Sequence, residues 1–292
     1  MTDGEHAAHD RYVLGETERR AVFVRGIVPH ELERAQRVPR PRVVYIGGQP
    51  GAGKSALQDR LRDQLEATDG RHSVLEINND RFRLYHPRYR ELQRIDDQRA
   101  SVLTNPDANA WVDLAIDASR TIRSHVFLES SLRRTDEILK TTRGYRDAGF
   151  GAELHLVVTH PLISRISVAE RYLGQIDTGQ PGRYVVTDTQ QEAIDLLPRS
   201  LRALADSGLF SMIGLHQRSG VDILTGTPGP WLTPDAIVDA YRAAVAEQAA
   251  ALERTKLLRR VEVALAQAEH YGRRECAVDL RRLRGDVEGI DR

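Results

Sequence analysis

The sequence predicts an α/β fold, a three-layer sandwich in which helices cover both faces of a central, mostly parallel sheet. Short apolar runs rich in β-branched residues alternate with segments of helical periodicity, which is typical of parallel strands buried on both faces. Before the first run and after the last one the pattern is helical only, which predicts N-terminal helices and a C-terminal helical extension. Hydrophobic content of 40% and charged content of 29% are ordinary for a globular protein.

Five strands and the helices around them follow from this alternation. Residues 5–37 are predicted to be helical, and a polar stretch is predicted from the residue after Asp80 to about Pro106. Asp107 is predicted to cap a helix whose apolar face carries Trp111, a side chain expected in the core. The strands are predicted at Val43–Ile46, Ser73–Ile77, His125–Leu128, Ala152–Val158 and Phe210–Leu215, and further helices at 56–65, 134–147, 163–172 and 188–206.

Prolines divide the chain after the last predicted strand. Pro228, Pro230 and Pro234 mark a boundary, and residues 235–289 beyond it have a helical pattern interrupted near Tyr271. This pattern predicts a helical hairpin. We therefore expect an N-terminal helical segment, a central domain and a C-terminal helical extension, at residues 1–40, 41–230 and 231–292.

The charge balance gives no argument for nucleic-acid or membrane partners, and we expect neither. Lys+Arg and Asp+Glu are equal at 42 each, so no net positive charge favours phosphate backbones or lipid headgroups. The single cysteine, Cys276, excludes an internal disulfide. The polar N-terminus is unlike a signal peptide, and no apolar run reaches membrane-spanning length. We expect a cytoplasmic protein.

A phosphate-binding loop follows the first strand. The segment from Gly48 to Ser55 matches the pattern G-x-x-x-x-G-K-[ST] and lies between a β-branched run and a helical pattern, as this pattern requires. Glycines let backbone N–H groups turn toward a phosphate, Lys54 can reach the β- and γ-phosphates, and the Ser55 hydroxyl can bind Mg²⁺. The sequence therefore predicts a P-loop NTPase or kinase-like fold that binds a nucleoside triphosphate through Gly48, Gln49, Pro50, Gly51, Ala52, Gly53, Lys54 and Ser55.

Two acidic residues directly follow predicted strands. Asp80 comes after the second strand and Glu129 closes the third, so both belong to the carboxyl edge of the sheet, where ligands bind in such folds. Asp80 is a candidate for orienting the hydroxyl that accepts a phosphoryl group, and Glu129 for completing Mg²⁺ coordination. Arg171 and Arg183 flank a glycine-rich segment and could close over the triphosphate, although spacing alone favours solvent-exposed helix arginines.

An ordered series of motifs resembles the zeta toxin family. It comprises the phosphate loop, Asn79–Arg83 with His86–Tyr89, Glu129 with Ser131 and Arg133, Glu170–Tyr172 with Arg183, and Ser207–Phe210. The similarity is collinear over roughly residues 40–225. Members of this family are bacterial toxin kinases that transfer the γ-phosphate of ATP to the 3′-hydroxyl of the sugar of UDP-N-acetylglucosamine.

The resemblance implies a role for each candidate residue. Asp80 would be the catalytic base, Lys54 and Ser55 would hold the triphosphate and Mg²⁺, and Arg171 and Arg183 would contact the phosphates. The sugar nucleotide would contact Asp80, Asp113, Glu129, Ser131 and Arg133. Two departures lie in this acceptor region, because the family usually has Glu-Gly-Thr where this chain has Glu129-Ser130-Ser131, and a glutamate at Asp113. ATP is therefore a firmer prediction than the acceptor.

Other functions stay open at this stage. A kinase of another hydroxylated small molecule, such as a different nucleotide sugar, a nucleoside or an antibiotic, would use the same loop and acids. A nucleotide-dependent switch that binds ATP without catalysis is a third alternative. A GTPase switch is disfavoured, since no Asn-Lys-x-Asp guanine-reading motif follows the later strands. The resemblance also implies a partner, a small helical antitoxin that obstructs the nucleotide site. Residues 1–38 could obstruct the site in a similar way, but an ordinary N-terminal helix is favoured.

Overall fold

A computed structural model of the chain describes residues 12–180, 182, 184, 185 and 187–290, apart from the side chains of residues 97 and 98. The chain forms two compact units. The first unit comprises Met1–Arg42 and Arg62–Glu129, and the second comprises Val43–Leu61 and Ser130–Arg292. The three-part division expected from the sequence stays a prediction.

The described strands form a six-stranded sheet in the order β2-β3-β1-β4-β5-β6. Strand β2 pairs in parallel with β3, with Val74 opposite His125, and β4 pairs in parallel with β5. Strand β6 pairs antiparallel with β5. The fold is thus the predicted α/β type with a mostly parallel sheet flanked by helices. The strands are β1 Arg42–Gly47, β2 Val74–Ile77, β3 His125–Ser130, β4 Gly151–Val158, β5 Met212–Gln217 and β6 Asp222–Gly226.

Burial explains which strands the sequence revealed. Five of the six residues of β1 and seven of the eight of β4 are buried, so these strands read as continuous apolar runs. None of the residues of β6 is buried, because this strand lies at the antiparallel edge of the sheet. Its sequence therefore lacks the apolar run on which the strand predictions depended, and β6 was not predicted.

Twelve α-helices occur within the described residues, and none of them is both long and apolar enough to cross a membrane. They are α1 Glu16–Val22, α2 Lys54–Asp69, α3 Asn79–Arg83, α4 Tyr89–Ile95, α5 Asp97–Leu103, α6 Asn105–Ile122, α7 Thr135–Asp147, α8 Pro161–Asp177, α9 Thr187–Asp206, α10 Pro234–Ala250, α11 Arg254–His270 and α12 Arg274–Glu288.

The predicted N-terminal helix is shorter and irregular. Its residues 5–11 lie outside the described part of the chain, and α1 passes into a π-helix at Phe23–Leu32. Pro29 lies inside this segment, and the Glu33 N–H donates to the carbonyl of Val28. A regular α-helix is unfavourable there because proline has no N–H and its ring crowds the carbonyl four residues earlier.

One prediction for residues 78–107 is wrong, and it concerns Asp107. The preceding polar stretch, for which the sequence predicts no element, contains α4, α5 and the end of α3, helices too short for their periodicity to be recognised. Asp107 does not cap α6, which begins at Asn105 after Thr104. Instead Asp107 is fully buried and accepts hydrogen bonds from Leu14 N at 3.1 Å and Arg19 Nε at 2.8 Å. It ties α6 to the N-terminal segment of the first unit.

The core position of Trp111 is confirmed. Its side chain is fully buried, and its indole Nε1 donates to the carbonyl of Arg19 at 2.9 Å. A buried indole needs such an acceptor because an unpaired N–H would lose its hydrogen bonds to water.

The C-terminal extension contains three helices rather than a hairpin. The predicted interruption near Tyr271 is present, where Gly272 adopts a positive φ of 65°, and a second break separates α10 from α11. Helices α11 and α12 pack against α8 within the second unit. Their shared buried cluster includes Ile166, Tyr172 and Leu173 of α8 and Val261, Ala264, Leu280 and Leu283 of the extension.

Candidate active site

Strand β1 delivers the phosphate loop, and α2 begins at its last residues. The three loop glycines, Gly48, Gly51 and Gly53, have φ values of 142°, 79° and 92°, which side chains with a Cβ rarely adopt. A Cβ added at Gly51 would lie 2.1 Å from the carbonyl oxygen of Ser164. Glycine is therefore required at this position both for its φ and for the close approach of α8.

Gln49 anchors the loop from inside. Its side chain is 2% exposed, and its Nε2 donates to the Thr159 carbonyl at 2.9 Å and to the Ser164 hydroxyl at 2.7 Å. The Thr159 hydroxyl donates in turn to the carbonyl of Ala52 at 3.0 Å. The loop is thus attached to the end of β4 and to the first turn of α8. The motif leaves the second loop residue unspecified, so this role was not visible in the sequence.

Two cations lie against the loop. The Lys54 ammonium donates to the carbonyls of Gly48 at 3.0 Å and Gln49 at 3.3 Å, which holds it over the loop. Arg218 follows β5 directly, and its guanidinium donates to the Ser167 hydroxyl at 2.8 Å and the Gly51 carbonyl at 3.5 Å. Sequence reasoning missed Arg218, although its place at the carboxyl end of a strand was a usable signal.

Asp80 lies in the first unit, in the first turn of α3. The side chain of Asn78 caps this helix by accepting hydrogen bonds from the backbone N–H groups of Asp80 at 2.8 Å and Arg81 at 3.3 Å. The Asp80 carboxylate is 47% exposed and accepts from Arg83 NH1 at 2.5 Å. Since the Arg83 side chain is 2% exposed and also donates to Asn105, it fixes the direction of the carboxylate.

Glu129 lies beside the Asp80 turn within the same unit. The amide Nδ2 of Asn78 donates to Glu129 Oε2 at 3.3 Å, so a single side chain caps α3 and contacts the acid at the end of β3. Asp113 is exposed on α6, one turn beyond Asn109, whose side chain accepts a hydrogen bond from Asn79. The first unit therefore brings Asp80 and Glu129 together, with Asp113 on the helix that packs against α3.

Ser131 and Arg133 lie in the turn after β3, in the second unit. Arg133 Nε donates to the Ser131 hydroxyl at 3.2 Å, and its NH1 donates to Glu192 at 2.6 Å. Leu132 is buried with a positive φ of 60°, and its N–H donates to the Ser130 hydroxyl at 3.0 Å. Ser130 thus stabilises a strained turn that places Ser131 and Arg133 side by side.

The two predicted phosphate-contacting arginines have different outcomes. Arg171 is exposed on α8 and directly follows Glu170. Arg183 lies outside the described residues. The candidate residues that the structure describes therefore fall into two groups, each with defined contacts inside its own unit.

The sequence profile of the zeta toxin family matches residues 30–227, which is more than half of the chain. This chain belongs to the zeta toxin family. Zeta toxins are kinase-like P-loop toxins of toxin–antitoxin systems, and the expectation drawn from the motif series is confirmed at this level. The helices α10–α12 lie beyond the matched region.

Individual relatives agree with this assignment. The chain is 25% identical over 234 residues to toxin zeta of Enterococcus hirae, an alignment that covers 80% of this chain and 79% of that protein. It is 26% identical over 181 residues to the toxin PezT of Streptococcus pneumoniae, covering 61% of this chain and 69% of the relative.

Solved structures share the fold. A structure of the PezAT chromosomal toxin–antitoxin system of Streptococcus pneumoniae matches with a TM-score of 0.69 and 18% identity, covering 89% of this chain and 98% of that one. A structure of AvrRxo1-ORF1:-ORF2 with ATP matches with a TM-score of 0.51 and 14% identity, covering 98% of this chain and 90% of that one. At these identities the likeness is one of fold.

Proposed function

We propose that this zeta toxin family member is an ATP-dependent kinase that phosphorylates the 3′-hydroxyl of the sugar of UDP-N-acetylglucosamine. The observation that carries the proposal is the Asp80 carboxylate, which is exposed at the end of β2, directed by the buried Arg83 and joined through Asn78 to Glu129. Such a carboxylate is suited to orienting a hydroxyl nucleophile, which phosphoryl transfer requires more than full proton abstraction.

The phosphate loop supports ATP as the donor. Its left-handed glycines open the backbone toward a phosphate, and the N-terminus of α2 favours negative charge. The family assignment and the fold shared with a structure that contains ATP point the same way. The ammonium of Lys54 would move from the loop carbonyls to the β- and γ-phosphates. Arg171 and Arg183 would offset the charge that develops on the transferring group.

The donor atoms present are chemically suited to Mg²⁺. Ser55 supplies a hydroxyl and Glu129 a carboxylate, and this ion prefers oxygen ligands. Within the described part of the chain no group of three His, Cys, Asp or Glu side chains could hold a metal ion alone. Phosphate oxygens and water would therefore supply the other ligands. When bound, Mg²⁺ neutralises charge on the phosphates and orients them.

The acceptor would contact side chains from Asp80, Asp113, Glu129, Ser131 and Arg133. The planar guanidinium of Arg133 can donate two parallel hydrogen bonds to phosphate oxygens, which is compatible with a diphosphate. The substitutions at Ser130, Ser131 and Asp113 favour testing a second candidate, a kinase of a related nucleotide sugar. The smaller hydroxyl residue and the shorter acid each change the size of a side chain while keeping its polar group.

A substrate screen tests the proposal directly. The protein is incubated with γ-labelled ATP, Mg²⁺ and single nucleotide sugars, and labelled products are identified by mass spectrometry. We expect label on the sugar of UDP-N-acetylglucosamine. Label only on another nucleotide sugar would replace the acceptor, and tight ATP binding without any phosphorylated product would support the switch instead.

We also propose a small helical antitoxin as a partner and the cytoplasm as the location. The shared fold with a toxin–antitoxin complex supports the partner. Expression of the wild-type chain should arrest bacterial growth, whereas Asp80→Asn should not. Growth arrest by both forms would separate toxicity from phosphoryl transfer and contradict the kinase as its cause.

A further inference from the structure

Helix α8 lies between the phosphate loop and the C-terminal helices, all within the second unit. Its first turns contact the loop through Ser164, whose carbonyl leaves no space for a Cβ at Gly51 and whose hydroxyl accepts from Gln49. Its opposite face is buried against α11 and α12. Any displacement of α8 would therefore change the positions of the phosphate loop and of Arg171.

Arg260 of α11 makes a bidentate contact with Glu170, at the edge of α8. Its Nε donates to Glu170 Oε1 at 2.8 Å, and its NH2 donates to Glu170 Oε2 at 2.7 Å. NH2 also reaches the Ser167 hydroxyl at 3.4 Å. Parallel hydrogen bonds from a planar guanidinium to a carboxylate restrict both distance and orientation, which a single charge contact does not.

Ser167 connects this contact to the phosphate loop. Its hydroxyl accepts from Arg218 NH1 at 2.8 Å, and the same nitrogen reaches the Gly51 carbonyl at 3.5 Å. A continuous series of polar contacts thus runs from Arg260 through Ser167 and Arg218 to Gly51. It begins at a helix beyond the region that the family profile matches and ends at the loop.

The geometry of α8 links the contact made by Arg260 to the direction of the Arg171 side chain. Ser167 and Glu170 are three residues apart and lie on one face of the helix. Arg171 follows Glu170 directly and leaves the helix about 100° further round its axis. Fixing the Ser167–Glu170 face therefore fixes the rotation of α8 and the direction in which Arg171 extends.

We propose that Arg260 is a positioning residue that sets, through Glu170 and Ser167, the rotation of α8 and hence the placement of Arg171 and the phosphate loop. The C-terminal extension is then part of the catalytic apparatus rather than an appendage. This inference rests on the proposed kinase function, because it assigns Arg171 to the transferring phosphate.

The first experiment compares Arg260→Ala and Arg260→Lys with a control, Arg281→Ala. Arg281 also donates to a glutamate of the C-terminal helices, Glu269, which lies on α11 and not on α8. We expect Arg260→Ala to lower kcat about 10- to 100-fold and also to raise KM for ATP, because Arg171 and the phosphate loop would both be misplaced and a small misplacement at a distance has effects of this size. The kcat of Arg260→Lys should lie between those of the wild type and Arg260→Ala, because lysine keeps the charge but cannot donate two parallel hydrogen bonds.

The thermal midpoint distinguishes positioning from stability. The Arg260 and Glu170 side chains are 35% and 39% exposed, so their removal should shift the midpoint little, as for Arg281→Ala. In an Arg171→Ala background, Arg260→Ala should cause a smaller loss of kcat than in the wild type, because the part of its effect that passes through Arg171 is already gone. Full turnover in Arg260→Ala, or an undiminished further loss in the Arg171→Ala background, would overturn the proposal.

Hydrogen exchange keeps this test separate from the kinase hypothesis. In Arg260→Ala, amides of residues 161–177 should exchange faster and ATP should bind more weakly, whereas Arg281→Ala should match the wild type in both. If the wild-type protein phosphorylates no acceptor, the proposed function fails, but these two measurements still decide the positioning role. Unchanged exchange and unchanged ATP affinity would refute it.

Discussion

At the scale of single residues, the site depends on side chains that serve two neighbours at once. Asn78 caps α3 and donates to Glu129, while Arg83 holds Asp80 and Asn105. The Ser130 hydroxyl has a single role of this kind, because it accepts from the N–H of Leu132. This gives a structural reason for a serine where zeta toxins usually have glycine: it supports the turn before Ser131.

The role of Asp80 gives the first prediction. Asp80→Asn should leave ATP affinity unchanged and lower kcat by about 10²- to 10⁴-fold, since an amide cannot accept the proton of the acceptor hydroxyl as a carboxylate does. Steady-state kinetics and ATP titration calorimetry measure the two quantities. Asp117→Asn, which changes an exposed acid of α6 that pairs with Arg120, should be neutral in both. A fully active Asp80→Asn enzyme would remove Asp80 from catalysis.

Gly51 gives the second prediction. Gly51→Ala should lower the free energy of unfolding by about 1–3 kcal/mol, because the alanine would be strained at a positive φ and would collide with Ser164. ATP affinity should fall about tenfold or more, the equivalent of about 1.4 kcal/mol. Gly174→Ala is the control, since its Cβ would meet nothing within 4 Å inside α8. It should be neutral or stabilise by about 0.5–1 kcal/mol.

At the scale of secondary structure, short elements at strand ends arrange the site. Helix α3 has five residues and no independent stability, so its cap and its contact with α6 hold it in place. The sequence series from Asn79 to Arg83 spans the whole of this helix. It could not reveal the helix, because one turn and a half gives too little periodicity to recognise.

Two substitutions of Asn78 distinguish its role as a helix cap from its contact with Glu129. Asn78→Ala should destabilise the protein by about 0.5–2 kcal/mol because the cap is lost. Asn78→Asp keeps an oxygen that accepts from Asp80 N and Arg81 N but loses the donor to Glu129 and adds a like charge beside it. We expect Asn78→Asp to retain more stability than Asn78→Ala in urea unfolding, while phosphoryl transfer falls in both. Wild-type transfer by Asn78→Asp would show that the bond to Glu129 is dispensable.

At the scale of the whole molecule, several buried titratable groups have pKa values shifted from their ordinary values, which predicts how stability depends on pH. Burial is the largest cause that lowers the pKa of His216, with His155 adding to it and the hydrogen bond to Asp222 opposing it. Burial also lowers the pKa of His160. For Asp107, burial alone would raise the pKa, but hydrogen bonds from His86 and Arg19 outweigh it and hold the pKa below its usual value.

These shifts predict two acid-sensitive windows. A histidine with a lowered folded pKa binds its proton more readily when unfolded, so stability should fall as the pH drops below the ordinary value of about 6.5. Asp107 has a lowered pKa in the folded state, so its contribution is present above the ordinary value of about 3.9 and is lost as the pH falls below it. Urea unfolding between pH 7 and pH 3 should show both declines.

His216→Gln tests the upper window. The variant should show a shallower decline between pH 7 and pH 5, because His216 then no longer takes up a proton on unfolding. His155 Nδ1 and His216 Nε2 are 2.9 Å apart, and two protonated rings would turn their N–H groups toward each other. His270→Gln, a change at an exposed position of α11, should leave the slope as in the wild type. An unaltered slope in His216→Gln would assign the acid sensitivity to other groups.

The sequence by itself determined the α/β class, the phosphate loop, most strands and the acids that follow two of them. These features depend on local order, since glycines, β-branched runs and strand ends constrain the backbone within a few residues. Only the tertiary structure decided that the buried Asp107 binds Leu14, that Arg218 contacts Gly51 of the loop and that Arg260 binds Glu170 of α8. Each of these pairs is separated by about 90 residues or more along the chain, and packing alone brings them within hydrogen-bond distance.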